Sequence, residues 1–367
     1  MRLEKLSLFN FKNYEEAQLS FQGDIQCFLG NNGSGKTNLL DAIYYLSFTK
    51  SALSTSDIQN IRLTQGQFFI KGTFAKNDRV SEVLCSFQQG QKKIIRENDL
   101  DYGKVAEHIG KYPVVMVAPQ DIELIWDGSE VRRKFFDSLI SQLDRTYLDY
   151  LITYSGYLKQ RNSALRFFAE KGRVDHDLLE SYDEKLIPAA DYIHHRRKEF
   201  VREFLPRLVQ HYRFLSGDAQ EEVAVTYRSD LTAMNWRDAL KKNLSRDLAL
   251  QRTTTGIHRD DFLFYLNGNE LKRFGSQGQQ KSFLIGLKLA EFESITIAKS
   301  LKPLLLLDDI FDKLDDLRIN KLMQLVAHDT FGQIFITDAR PARTREIITG
   351  AGLRPGIFMV AEGQITR

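Results

Sequence analysis

Residues 25–46, IQCFLGNNGSGKTNLLDAIYYL, join a short apolar run, a glycine-spaced loop and a second apolar run without a break. Ile25 to Leu29 reads as a buried strand. Leu39, Leu40, Ile43, Tyr44 and Leu46 recur at helical spacing, so the loop between the two runs opens a helix. Gly30, Gly35, Lys36 and Thr37 fit G-x-x-x-x-G-K-[ST], a loop that cradles a nucleoside triphosphate and its Mg²⁺. Each residue type has a reason. Gly30, Gly33 and Gly35 permit backbone conformations and approaches that a Cβ would block. Lys36 supplies a point charge to the phosphates, Thr37 a hard oxygen for the metal, and the helix N-terminus favours anionic charge.

At 367 residues the chain has room for two or three domains and a core that needs no covalent staples. Its two cysteines, Cys27 and Cys85, are too few for a disulfide framework, and Cys27 lies in the strand before the loop, where it serves as a small hydrophobe. The opening MRLEKLSLFNF lacks the apolar core of a signal peptide, and no 18-residue apolar run occurs, so a soluble cytoplasmic protein is expected. A net charge of +3 does not by itself announce a nucleic-acid binder. Its distribution says more. Between Tyr192 and Arg213, six cations (Arg196, Arg197, Lys198, Arg202, Arg207 and Arg213) face two acids, Glu199 and Glu203, a pattern that suits either a solvated helix face or a DNA surface.

The first 120 residues read mostly as strands, with the helix after the loop among them. From Val131 to Phe168 apolar residues fall three or four apart, predicting one long amphipathic helix. Leu179, Leu186, Ile193 and Phe200 then recur every seven residues, a coiled-coil-like seam that Pro188 and Pro206 should kink or interrupt. Residues 169–177 supply the turn of this helical hairpin, inserted into an α/β domain. Strand texture returns at EEVAVTYRS and at DFLFYLNGNELKRFG, whose Asn267-Gly268 signals a hairpin. A helix from about Gln279, a strand PLLLLDDI, a helix from about Leu317 and strands QIFITDA and GIFMVAEGQITR complete the chain.

LLLLDD is the expected partner of a phosphate loop: a buried strand whose first terminal carboxylate, Asp308, meets Mg²⁺ and whose second, Asp309, positions or deprotonates the attacking water. Asp308 lies 272 residues after Lys36, too far for a small GTPase or nucleotide kinase, so something large interrupts the sheet. Between the two halves, Ser276, Gln277 and Gly278 precede an apolar-periodic helix, as either an ordinary cap or an anion-binding N-terminus.

GNNGSGKT, FGSQGQQK and LLLLDDIFDKLD, in that order, resemble an ABC-type P-loop ATPase head of the SMC kind. LSLFNFKNY, NLLDAIYYLSF and the HRDD at 258–261 are similar to the RecF family in particular, and the likeness reaches both ends of the chain. The resemblance implies an α/β fold: a mixed-sheet ATPase lobe at 1–125 and 251–367, with an inserted helical lobe at 126–250. Gly30, Asn31, Asn32, Gly33, Ser34, Gly35, Lys36 and Thr37 would then be Walker A, with Ser276, Gly278 and Gln279 in the signature. Asp308 and Thr37 would hold Mg²⁺. Asp309 takes the place of the usual catalytic glutamate, Gln120 that of the Q-loop residue at the metal, Asp315 that of the D-loop, and Lys12 and Asn13 lie near the nucleotide. The switch histidine is missing, with Thr337 or Asp338 at its place. Also implied are ATP hydrolysis, an ATP-dependent homodimer closed on DNA near single-strand/duplex junctions, and work with RecR and RecO in recombinational repair. An SMC protein proper would need far longer arms, since the 38 residues from Val131 to Phe168 span only about 57 Å as a helix. A transporter subunit would leave the basic insertion unexplained. A scaffold locked by ATP without hydrolysis stays open because of Asp309.

Overall fold

The computed structural model describes residues 1–232, 235–328 and 330–367. It divides into two compact units: Met1–Asp121 with His211–Asp218 and Lys281–Arg367, and Ile122–Gln210 with Ala219–Gln280. Residues 251–280, placed with the ATPase lobe on sequence, therefore belong to the second unit.

Two six-stranded sheets form the first unit. One is ordered Tyr14–Ser20, Arg2–Phe11, Gln67–Lys76, Arg79–Gln88, Ile94–Glu97, Leu100–Asp101, all antiparallel. The other runs Gln364–Thr366, Gly356–Ala361, Ile25–Leu29, Ile334–Asp338, Leu304–Asp308, Val114–Val117; its last five strands are parallel. The helix Lys36–Phe48 packs against both sheets. That is why Leu39, Leu40, Ile43 and Leu46 are all fully buried, each contributing about 1.5–3 kcal/mol. Residues Ile25–Leu29 are buried throughout, as expected of a strand covered on both faces.

In the second unit, the helix expected over 131–168 is two helices, Ser129–Leu143 and Arg145–Lys171. Asp144 breaks it: its backbone is extended and its side chain accepts from Tyr147 N, capping the second helix. Gly172, at φ 65°, ends that helix. Of the kink or interruption expected at the prolines, the interruption does not occur, because His176–Ser216 is one helix containing both Pro188 and Pro206. Both prolines are exposed, as are Glu184 and Arg202 four residues before them, so water can satisfy the carbonyls that lose their donors, while Leu186, Ile193, Phe204 and Leu208 hold the helix in the core. Asn267 and Gly268, both at positive φ, turn the hairpin between Asp261–Leu266 and Asn269–Glu270 as expected.

Three buried arginines organise this unit. Arg132 meets both carboxylate oxygens of Asp261 at 2.8 and 3.0 Å. Arg161 pairs with Asp183 and Asp247, each at 2.8 Å. Arg197 pairs with Asp137 at 2.9 Å and Asp260 at 3.3 Å. Arg197 is only 1% exposed, which removes it from any DNA surface. Burial opposes its charge, but Asp137, Asp260 and two tyrosines hold it protonated. His258 is structural as well: Nδ1 lies 2.7 Å from the Tyr154 hydroxyl and Nε2 3.1 Å from the Thr253 carbonyl.

Arg197→Ala should cost about 3–5 kcal/mol in chemical denaturation, because it strands buried carboxylates, whereas Arg196→Ala, which leaves the exposed Glu199 and Glu203 and the half-buried Asp144 open to water, should cost less than about 1 kcal/mol. Burial also lowers the His258 pKa to about 4. The unfolded chain binds a proton near pH 6.5 that the folded chain refuses, so this stability is complete above that pH and is lost as pH falls towards 4. Thermal melts of His258→Asn should show a weaker loss between about pH 7 and pH 5 than the parent, by about 2 kcal/mol.

Candidate nucleotide-binding site

Parallel pairing carries the chemistry to one edge of the second sheet. Gly30 follows Ile25–Leu29, Asp338 ends Ile334–Asp338, Asp308 ends Leu304–Asp308, and Gln120 lies three residues beyond Val114–Val117. All are carboxyl ends, the side of a parallel sheet where ligands bind.

The loop is built around two obligatory glycines. A Cβ on Gly30, at φ 157°, would lie 2.1 Å from the Val360 carbonyl oxygen, and one on Gly35, at φ 112°, would lie 2.4 Å from Asn13 Nδ2. Asn13 and Tyr14 brace the loop from outside: Asn13 Nδ2 donates to Ser34 O at 3.2 Å and the Tyr14 hydroxyl to Gly35 O at 3.0 Å. Asn13 Oδ1 accepts from Asn38 Nδ2 at 2.7 Å. Lys36 is buried with its ammonium inside the loop, donating to Gly30 O at 2.9 Å and Asn31 O at 3.0 Å. Asn31, Asn32 and Gly33 are exposed at the loop's crest, and the buried Ser34 Oγ has no hydrogen-bond partner among the described residues.

Beside the loop, Asp308 Oδ1 accepts from Thr37 Oγ1 at 2.8 Å and Thr337 Oγ1 at 2.6 Å, and Thr337 Oγ1 accepts from Asp309 N at 3.0 Å. Burial raises the pKa of Asp308. Burial, then the charge of Asp309, raises that of Asp338. Asp309 adopts φ 46°, and its Oδ1, like Asp338 Oδ2, is buried without a hydrogen-bond partner among the described residues. Crowded carboxylates with unsatisfied oxygens, next to a threonine hydroxyl, fit a hard divalent cation. Among the described residues no group of three or more acidic, histidine or cysteine side chains could hold a metal alone.

The other candidates are placed unevenly. Lys12 is ion-paired with buried Asp41 at 2.5 Å, so its charge is directed into the core and Asn13 is the neighbour that touches the loop. Gln120 is half-buried on the turn Pro119–Ile122, with no side-chain hydrogen bond to Thr37 or Asp308 among the described residues. Asp315 caps the helix Asp316–Ala327, accepting from Arg318 N at 3.0 Å and pairing with the Arg318 guanidinium. Ser276, Gly278 and Gln279 lie in the second unit, where Ser276 Oγ accepts from Gln279 N at 3.2 Å and Ser276 N donates to Gln279 Oε1 at 2.8 Å, a capping box. Sequence reasoning missed Lys288 and Glu291, buried in the first unit behind Gln120. Lys288 Nζ is 3.0 Å from Asp121, and burial lifts the Glu291 pKa to about 7. Two charges on the apolar stripe of FLIGLKLAEFE were the available signal.

The family model for the RecF/RecN/SMC N-terminal domain matches residues 2–363. The DNA replication and repair protein RecF of Flavobacterium johnsoniae is 47% identical over 95% of this chain and 97% of its own. The chain belongs to the RecF family. Its counterpart in Cytophaga hutchinsonii is 46% identical over 100% of this chain and 96% of its own. The solved structure of the recombination mediator RecF with ATP, of the RecFOR pathway, superposes with TM-score 0.89 at 28% identity, covering 99% of this chain and 96% of that one. Membership makes the fold that of an SMC-like ABC ATPase head.

Asn13→Ala removes a brace on the loop without touching Lys36. It should weaken binding of a fluorescent ATP analogue about fivefold while leaving the melting temperature within a few degrees of the parent.

Proposed function

We propose that the chain is a Mg²⁺-dependent ATPase of recombinational repair that closes on DNA as an ATP-driven homodimer. The observation that carries this reading is the Thr37–Asp308–Thr337 cluster beside Lys36, with the free Asp309 oxygen next to it. Lys36 would exchange the Gly30 and Asn31 carbonyls for β- and γ-phosphate oxygens. Bound Mg²⁺ would be held by Thr37 and Asp308 and would neutralise charge developing on the phosphates. Thr337, through Asp309 N, fixes the turn that presents the Asp309 carboxylate, whose unpaired oxygen can orient a water and accept its proton. Ser276 and Gly278 of one copy would meet the γ-phosphate held by the other, which the exposure of Ser276 permits. Gln120 and Asp315 would complete that shared site. Asn13 acts on the loop rather than on the nucleotide.

The DNA surface is revised from its sequence-based form. Of the six cations at 192–213, Arg197 is buried and Arg196 is taken up by Asp144, Glu199 and Glu203, while Lys198, Arg202 and Arg213 remain exposed. Contacts from such cations to backbone phosphates would bind duplex near single-strand gaps, with RecR and RecO as partners in loading recombinase and hydrolysis releasing the clamp. The pathway of the ATP-bound relative supports those partners. A scaffold locked by ATP without turnover is the competing reading, favoured by the short reach of Asp309; equal ATPase rates for the parent and Asp309→Asn would select it.

Asp309→Asn should appear by light scattering as a dimer with ATP and a monomer with ADP or no nucleotide. Adding Ser276→Arg should abolish the dimer while ATP still binds. A monomer throughout, with ATP bound, would overturn ATP-driven closure.

A further inference from the structure

The turn end of the helical hairpin carries a feature that nucleotide chemistry does not use. Residues 159–171 of helix Arg145–Lys171 and residues 173–182 enclose a cleft of about 1160 Å³. Its floor is apolar: Phe168 is buried, Phe167 and Leu178 are 52% and 37% exposed, and Tyr182 lies beside them. Lys159, Lys171 and Arg173 stand on its rim, and Lys171 Nζ sits 5.9 Å from the Phe167 ring centroid.

The exposed cations at this cleft differ from the buried arginines of the same unit. Arg132, Arg161 and Arg197 are each matched to carboxylates. Lys159, Lys171 and Arg173 make no ion pair among the described residues, although each is exposed. Of the two acids at the cleft, Asp175 is committed to Leu178 N at 3.0 Å, and Asp177 lies in the first turn of helix His176–Ser216, where it complements the helix dipole. Unpaired cations around an exposed phenylalanine present two demands together: anionic charge at the rim and an apolar group at the floor.

We propose that the hairpin tip is a docking cleft for an acidic peptide segment of a partner protein, with an aromatic or large aliphatic side chain seated against Phe167 and Leu178. The volume matches several residues of peptide. Duplex DNA would engage the cations but leave the apolar floor unused, because a convex cylinder of phosphates cannot enter a cleft of this size. An extended peptide satisfies both, the apolar anchor giving affinity and the acids giving orientation and on-rate.

Fluorescence anisotropy on the full chain tests this with three labelled probes: a short peptide of aspartates interrupted by phenylalanines, the same peptide with serines for the phenylalanines, and oligothymidylate. The phenylalanine peptide should bind in a salt-sensitive manner, at least about tenfold tighter than the serine peptide. Phe167→Ala and the pair Lys171→Glu with Arg173→Glu should each weaken it about tenfold, while a helical circular-dichroism signal and melting temperature matching the parent show that the variants fold. Equal binding of the two peptides would reduce the site to counterion attraction and overturn the proposal. So would oligothymidylate binding more tightly than either peptide with the same loss in Phe167→Ala, which would make the ring a base-stacking platform. No binding of the phenylalanine peptide would equally overturn it.

Discussion

The parallel pairing of Ile25–Leu29 with Ile334–Asp338, and of Leu304–Asp308 with both Ile334–Asp338 and Val114–Val117, is the constraint on which the rest depends. It joins strands from opposite ends of the chain in one register and so sets Thr37, Asp308 and Thr337 within hydrogen-bonding reach. The loop-closure cost of the long excursion is modest, about 0.6 kcal/mol for each doubling of length. What the insertion must do is fold by itself, and the second unit has its own core around Phe136, Phe200, Phe204 and Phe262.

Charge is handled differently in the two units. Around the phosphate loop, one buried oxygen each of Asp309, Asp338 and Ser34 has no hydrogen-bond partner among the described residues, an arrangement that is poor for stability and useful if a cation and phosphates complete it. In the second unit, Arg132, Arg161 and Arg197 are paired with nearly ideal geometry, which gives little net stability but makes the loss of any one partner costly. The cluster of Lys288, Asp121 and Glu291 lies between these extremes. It anchors the turn that carries Gln120 to the helix Gln277–Lys299, and one of its acids remains near neutrality.

Most of what was legible in the sequence was local. The strand–loop–helix at 25–48, the Asn267-Gly268 turn and the strand ending at Asp308 all lie where residue pattern placed them, because positive-φ glycines, hairpin turns and buried strands are decided by a few adjacent residues. The break at Asp144 escaped because no glycine or proline marks it, and an aspartate in the sequence is as ordinary on an exposed helix face as at a helix start. At Pro188 and Pro206 residue pattern left a kink or an interruption open, and packing of the helix's apolar face, which outweighs a local breaker, keeps the helix continuous.

The sequence by itself determined that a phosphate loop, a serine-glycine helix start and a terminal carboxylate pair exist in this order, and that a large helical insertion separates the first from the others. The tertiary structure alone decided which charges are available. Arg196 and Arg197 are neighbours in the chain, yet Arg197 is buried because Asp137 and Asp260 converge on it from other elements, and Lys12 is withdrawn from the nucleotide loop because Asp41 lies beneath it. Whether a charge is solvated or paired depends on residues tens of positions away, and the sequence around it holds no record of them.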